Sequence, residues 1–212
     1  MLSPETISAN KERFLSLIGS INRPGARIEE LINYLQESDC FTAPASTKYH
    51  LACEGGWCQH SLNVYDSLCV MYKAITGSEP PQPSCLIVGL LHDFSKVNLY
   101  EKSFSNKKVY SPTGSKSDAG GRFDWQTVPS WQQVPVERQL ILGNHEQNSE
   151  FLVRSFLPLT IEESSAILHH MGGMCWDSAK DNIGVVFSKY PLALLLHLAD
   201  MASTYILEKE EE

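Results

Sequence analysis

The sequence predicts an all-α fold, a bundle of helices with a small β-hairpin inserted near residues 105–130. Two observations lead to this prediction. Apolar residues recur at spacings of three and four over most of the chain, and residues that commonly start helices precede these stretches. The stretch that departs from this spacing is rich in glycine and aromatic residues, as hairpins are. We expect one domain over 1–212, with N-terminal helices in 1–40, a helical core in 41–98 and 138–207, and the insertion in 99–137.

The first two helices follow clear start signals. Ser3 is a suitable N-cap with Pro4 at the first helical position, and Pro24 opens the second helix. Each helix has an apolar face, so we expect the pair to pack on the outside of the core.

The next two helices contain the first candidate functional residues. A helix beginning near Trp57 places one stripe of residues inward, namely His60, Val64, Leu68, Met71 and Ile75. The segment 85–94 is apolar on all sides, which is typical of a central buried helix. His92 and Asp93 end that run.

The insertion 99–137 has two open interpretations. It carries Tyr110, Phe123, Trp125 and Trp131 around short strand-like runs. The insertion could be a lid that contacts substrate, through Trp125 for example, because long insertions in compact domains are often functional. Alternatively, it is a solvent-exposed decoration with its own aromatic cluster.

Capping signals also define the later helices. Asn144 caps a helix to about residue 156, Thr160 and Glu163 form a capping box, and Pro191 begins the last helix. The final run 208–212, Glu-Lys-Glu-Glu-Glu, is typical of a solvated tail.

The overall composition limits the classes of ligand that the protein is expected to bind. A net charge of −8 disfavours long nucleic acid, which needs a basic surface, but permits a phosphorylated small molecule. With no signal peptide and no apolar run of about 18 residues, we expect a cytoplasmic protein that does not enter a membrane. The oligomeric state stays open, with a homodimer as one option. Six cysteines, at 40, 53, 58, 69, 85 and 175, are expected to be free thiols.

Histidine placement is the strongest functional signal. The chain has seven histidines, and six of them lie in short motifs within or beside helices. Imidazoles and carboxylates from several helices can converge on a metal ion, which would satisfy polar groups that are costly to bury alone. The motif residues are His60, His92, Asp93, His145, His169, His170, His197 and Asp200.

This ordered set resembles the HD-domain superfamily of metal-dependent phosphohydrolases. The Gly-Gly-x-x-x-His opening at 55–60, the His-Asp-x-x-Lys centre at 92–96 and the Leu-His-x-x-Asp segment at 196–200 look especially like the HD domains of 3′–5′ exoribonucleases and cyclic-dinucleotide phosphodiesterases. The resemblance covers roughly residues 49–205 and implies an HD-domain helical bundle.

The resemblance also implies a ligand set. It implies that His60, His92, Asp93 and Asp200 are the ligands of a first metal. Asp93 would also bridge to a second metal, whose other ligands would be His145 and His170. His170 is preferred to His169 because His-Met-Gly is more similar to the family's segment. One or two divalent transition metals are implied, from among Mn, Fe, Ni, Co and Zn. His169, Glu146 and His197 would support the ligands or add one more.

The implied reaction is hydrolysis of a phosphomonoester or phosphodiester bond in a nucleotide or short oligonucleotide by metal-activated water. Asp93 and Lys96 would be catalytic, and Lys96 would neutralise a phosphate oxygen in the transition state. Lys96, His50 and Trp125 are the candidate substrate-binding residues.

Two alternatives stay open. The same six ligands occur in the di-iron oxygenase branch of the superfamily, of the myo-inositol oxygenase type. A non-catalytic HD domain that binds a nucleotide is the other, although loss of catalysis usually shows as missing ligands.

Overall fold

The computed structural model describes residues 1–174 and 182–209. Helices make up 53% of the chain and strands 13%, so the fold is mixed α/β and mostly helical. The α-helices are α1 (Pro4–Gly19), α2 (Ile28–Glu37), α3 (Gly56–Thr76), α4 (Gln82–Leu91), α5 (His145–Arg154), α6 (Ile161–Leu168), α7 (Ile183–Lys189) and α8 (Pro191–Ala202). Short 3₁₀ turns cover Phe94–Lys96, Val136–Arg138 and Gly172–Met174, and a π-helical turn, Ser203–Leu207, continues α8.

The prediction of an all-α fold is wrong because the insertion is a three-stranded antiparallel sheet. Its strands are β1 (Tyr100–Tyr110), β2 (Lys116–Asp118) and β3 (Gly121–Gln133), in the order β1-β3-β2. β1 pairs with β3 along its whole length, from Tyr100 opposite Gln133 to Tyr110 opposite Phe123. This ladder begins before residue 105 and ends after residue 130, so the sheet exceeds the predicted hairpin in length and in strand number.

The helical core forms around α3, α4 and α8. α3 packs against both α4 and α8, and α6 packs against α8 and α5. The close approach of α3 and α4 depends on Gly89, where a Cβ would lie 2.8 Å from the Cα of Tyr65. As predicted, α4 is buried on all sides, from Cys85 to Leu91. The inward stripe of α3 is shorter than predicted, because Ile75 is exposed.

The predicted helix starts are confirmed at three places. Ser3 and Asn144 accept hydrogen bonds from the backbone N–H groups of Thr6 and Gln147. Thr160 and Glu163 form the reciprocal capping box. These caps satisfy N–H groups that a helix start leaves without partners.

Five cysteines, at 40, 53, 58, 69 and 85, are free thiols. Cys175 lies outside the described residues. In the described part of the chain, no single helix is long and apolar enough to cross a membrane. Residues 183–189 and 191–207 pass that test only as a pair, which bends by 111°.

The segment leading into α3 is held by a tight backbone contact at Gly56. A Cβ added there would lie 2.1 Å from the carbonyl oxygen of Leu51, and Leu51 itself has a φ of 42°. We therefore expect Gly56→Ala to lower the free energy of unfolding by about 1–3 kcal/mol, the usual cost of overpacking. Urea denaturation followed by circular dichroism measures it. Gly19→Ala is the control, because a Cβ at Gly19 meets nothing within 4 Å. Equal stability of the two variants would contradict the expectation.

Candidate metal centre

The ends of five helices bring the predicted ligands together. His60 lies in the second turn of α3, and His92 and Asp93 directly follow α4. His145 is the first residue of α5, His170 follows α6, and Asp200 lies in the last turn of α8. The indole of Trp57 donates a hydrogen bond of 2.9 Å to the backbone carbonyl of Asp93, which joins α3 to the end of α4. Sequence reasoning did not anticipate that bond.

Asp93 lies at the centre of the group, and its two oxygens face different histidines. Oδ1 lies 3.6 Å from Nε2 of His145 and 3.6 Å from Nε2 of His170. Oδ2 lies 3.5 Å from Nε2 of His92 and 3.9 Å from Nε2 of His60. A carboxylate in this position can bridge two ions.

The ligand atoms are spaced as the donors of a metal are. His60, His92 and Asp200 offer atoms that all lie within 4.8 Å of one another, and so do His92, Asp93 and His170. Nε2 of His60 is 3.3 Å from Oδ1 of Asp200. Donors bonded to one ion at about 2.1 Å lie roughly 3.0–3.4 Å apart, so this pair fits a shared ion. Nε2 of His145 and Nε2 of His170 are likewise 3.3 Å apart.

Three inward-facing atoms have no hydrogen-bond partner among the described residues. They are Nε2 of His60, Nε2 of His92 and Oδ1 of Asp93, and all three are buried. Orphaned buried polar atoms are rare, and each costs about 1–3 kcal/mol. Three of them facing one point are accounted for if a cation binds there, so these buried His and Asp groups can hold a metal ion.

The other ring nitrogens of His92 and His170, the Nδ1 atoms, are held by hydrogen bonds to backbone carbonyls. Nδ1 of His92 donates to the carbonyl of Gly89 at 3.1 Å, and Nδ1 of His170 donates to the carbonyl of Ile167 at 2.7 Å. A carbonyl only accepts, so each Nδ1 carries a proton, and Nε2, which faces the centre, is the nitrogen left to bind a metal. This tautomer is the one that metal binding through Nε2 requires.

Electrostatics also favour a cation. Burial alone would raise the pKa of Asp93, but Lys96, His92 and His170 outweigh it and hold that pKa well below its usual range. Burial would lower the pKa of His60, but the neighbouring carboxylates of Asp200 and Glu208 raise it to about 10. Two carboxylates thus lie beside His60 and favour a positive charge at this point of the site, which a bound metal ion would supply.

Glu208 is the functional candidate that sequence reasoning missed. The prediction of a solvated tail is wrong at this residue, which is only 7% exposed. Its carboxylate lies 3.0 Å from Nδ1 of His60 and accepts a hydrogen bond of 2.9 Å from the side chain of Asn63. The available signal was the spacing of four that links Asp200, Thr204 and Glu208 along one helical face.

A cavity of about 650 Å³ opens over the ligands. Asp93, His145 and Asp200 lie in its lining, and so do Lys96 and His50. Nζ of Lys96 donates a hydrogen bond of 2.7 Å to Oδ2 of Asp93. Burial alone would lower the pKa of Lys96, but the attraction of Asp93 raises it, so the side chain is cationic.

His50 packs over His60, with the ring centroids 4.7 Å apart. Both of its ring nitrogens are buried, and neither has a hydrogen-bond partner in the described part of the chain. Burial lowers the pKa of His50 to about 4, so the ring is neutral near pH 7. A neutral imidazole in the cavity lining can donate to or accept from a bound ligand.

The three predicted supporting residues have distinct positions. Oε2 of Glu146 lies 3.4 Å from Nδ1 of His145, where it can orient that ring. Nδ1 of His197 donates to the carbonyl of His170 at 2.7 Å, so His197 holds the segment that carries His170. Nδ1 of His169 donates to the carbonyl of Ser165 at 2.8 Å, and the geometry favours His170 as the ligand.

Trp125 does not join the site. It lies on β3, its ring packs against Phe123, and the ammonium of Lys108 lies 5.6 Å from its centroid. The described lining of the cavity includes no residue of the sheet, so the structure places Trp125 in an aromatic cluster of the insertion itself. The structure does not bring Trp125 to this cavity, and its role in substrate binding stays a prediction.

No family profile, curated protein or solved structure matches the chain. The buried His and Asp cluster is compatible with an HD-type metal site, and the superfamily resemblance stays a prediction.

Proposed function

We propose that the protein is a metal-dependent phosphohydrolase that cleaves a phosphomonoester or phosphodiester bond in a nucleotide or short oligonucleotide. One observation carries the proposal. Asp93, whose Oδ1 has no hydrogen-bond partner among the described residues, lines the same cavity as His145, Asp200 and the partly buried ammonium of Lys96, so a metal-bound phosphate would also meet a positive charge.

The donor set favours a transition metal. Imidazole nitrogens combined with carboxylate oxygens suit Mn, Fe, Co, Ni and Zn, whereas Mg²⁺ and Ca²⁺ prefer oxygen donors alone. His60, His92 and Asp200 would hold one ion, and His145 and His170 a second, with Asp93 between them. Such ions, when bound, lower the pKa of coordinated water and polarise phosphoryl oxygens.

The protein's own groups supply the remaining chemistry. Lys96 would donate to a non-bridging phosphate oxygen and stabilise the charge that develops in the transition state. His50, which also lines the cavity, would hydrogen-bond the ligand through a ring that stays neutral. Asp93 would keep Lys96 in place through their 2.7 Å bond.

The shape of the cavity fits a small substrate. Its volume lies within the range of about 300–1,000 Å³ that is common for small-molecule sites. Exposed Tyr49 and Tyr205 lie in its lining and offer aromatic faces on which a nucleobase can stack. With the acidic net charge, this favours a mononucleotide or short oligonucleotide over a long chain.

The test is turnover by protein that has been stripped with a chelator and reloaded with Mn²⁺. The substrates are bis(p-nitrophenyl) phosphate, p-nitrophenyl phosphate and a panel of nucleotides, and the stripped protein is the control. We expect hydrolysis only after reloading. Protein that holds metal by elemental analysis and hydrolyses none of these substrates would overturn the proposal. Oxygen uptake by the iron-loaded protein with a polyol or phosphonate would then favour the oxygenase alternative.

A further inference from the structure

The four candidate histidine ligands differ in how their Nδ1 atoms are anchored. His92 and His170 each bond to a carbonyl three residues earlier, and His145 lies beside the adjacent Glu146. His60 bonds instead to Glu208, which is 148 residues away in the chain. The first three arrangements are local to one helix end, whereas that of His60 requires the C-terminal turn to be docked.

The contact between His60 and Glu208 is well defined. Both carboxylate oxygens of Glu208 lie 3.0 Å from Nδ1 of His60. Asn63, one turn further along α3, donates to Oε1 of Glu208 at 2.9 Å. Glu208 is buried, and its backbone N–H donates to the carbonyl of Ser203 at 3.0 Å, which closes the π-helical turn. Hydrogen bonds thus fix both the side chain and the backbone of Glu208.

We propose that Glu208 is a positioning residue that orients His60 for metal binding. An ionised carboxylate only accepts, so Glu208 holds a proton on Nδ1 of His60 and leaves Nε2 for the metal. Nε2 lies 3.3 Å from Oδ1 of Asp200 and has no hydrogen-bond partner within residues 1–174 and 182–209. A carboxylate behind a histidine ligand also increases the basicity of the ring, and loss of such a partner typically costs about 10–100-fold in metal affinity.

This inference rests on the part of the proposed function that makes His60 a metal ligand. A competing role for Glu208 is direct ligation, because atoms of His50, His60 and Glu208 also lie within 4.8 Å of one another. The two roles differ in stoichiometry. A positioning residue changes affinity at constant metal count, whereas loss of a direct ligand of a separate ion removes that ion.

The variant Glu208→Gln tests the inference, with Glu12→Gln as the matched control, because Glu12 is an exposed glutamate of α1. Competition with a chromophoric chelator measures Mn²⁺ affinity, and elemental analysis measures the metal count. We expect Glu208→Gln to bind Mn²⁺ about 10–100-fold more weakly at an unchanged saturating count, and Glu12→Gln to match the wild type. Circular dichroism checks that each variant is folded.

A second readout follows the His60 ring in zinc-loaded protein labelled with ¹⁵N-histidine. In the wild type we expect Nε2 bound to zinc and a slowly exchanging Nδ1–H resonance, which in Glu208→Gln shifts and exchanges faster.

Unchanged affinity together with an unchanged resonance would overturn the positioning role, and so would a lower metal count. Wild-type protein that binds metal but hydrolyses no phosphate ester would overturn the proposed function and leave this inference standing. Wild-type protein that binds no metal would overturn both.

Discussion

We expect Asp93→Asn to lose metal and to lose hydrolytic activity by more than about 100-fold, beyond the usual cost of removing a supporting residue. The carboxylate faces His145 and His170 through one oxygen and His92 and His60 through the other. An amide has one oxygen and one NH₂ group, so it cannot bridge two ions. Elemental analysis and kcat/KM on p-nitrophenyl phosphates measure the two losses.

The shape of asparagine should preserve the fold, because the bond from Trp57 goes to the backbone of Asp93. The matched control is Asp66→Asn, which changes an exposed carboxylate of the same helix as His60, paired with Arg13. We expect the control to keep both metal and turnover. Full metal content and full turnover in Asp93→Asn would remove Asp93 from the proposed site.

We expect Lys96→Met to keep its metal and to lower kcat roughly 10²–10³-fold, as removal of a transition-state donor does. Methionine has a similar length and apolar stem but no charge. The ammonium lies in the cavity lining and bonds to Asp93, so it is a charged donor close to the proposed metal-bound phosphate. Single-turnover kinetics separate the chemical step from binding.

Lys102→Met is the control, because Lys102 is an exposed lysine that pairs with Glu54 outside the cavity. Turnover by Lys96→Met at the rate of this control would exclude Lys96 from catalysis. Loss of metal from Lys96→Met would instead show that Lys96 maintains Asp93, so its role would be structural.

The helix positions of several candidate ligands could be predicted from sequence, because neighbouring residues define them, whereas the set of six ligands was implied by the family resemblance. His60 lies on the buried stripe of α3, His92 ends an apolar helix, and Asn144 caps α5 so that His145 begins it. Capping and apolar spacing are local properties, and local properties can be read from sequence.

Glu208 could not be placed in the same way. A run of charged residues is typical of solvated chain, and burial of Glu208 depends on His60 and Asn63, which are far away in sequence. The favourable energy comes from those tertiary partners, which no local pattern encodes.

Strand β2 of the sheet also could not be predicted from local sequence. Every residue of β2 is exposed, so it has no alternation of buried and exposed positions that could predict a strand. What defines β2 is its pairing with β3, from Lys116 opposite Phe123 to Asp118 opposite Gly121. Strand pairing of this kind is set by cross-strand contacts rather than by local preference.

The ladder between β1 and β3 has a consequence for how the site assembles. The backbone N–H of Val134 donates to the carbonyl of Leu99 at 2.9 Å, so the long insertion leaves the helical body at the point where it entered. Once this hairpin has formed, the chain between Asp93 and His145 outside it is reduced to residues 94–98 and 135–144. The entropy of closing a loop grows with its length, so the sheet lowers the entropic cost of bringing these two residues together. A segment that contributes no side chain to the described cavity lining thereby favours its formation during folding.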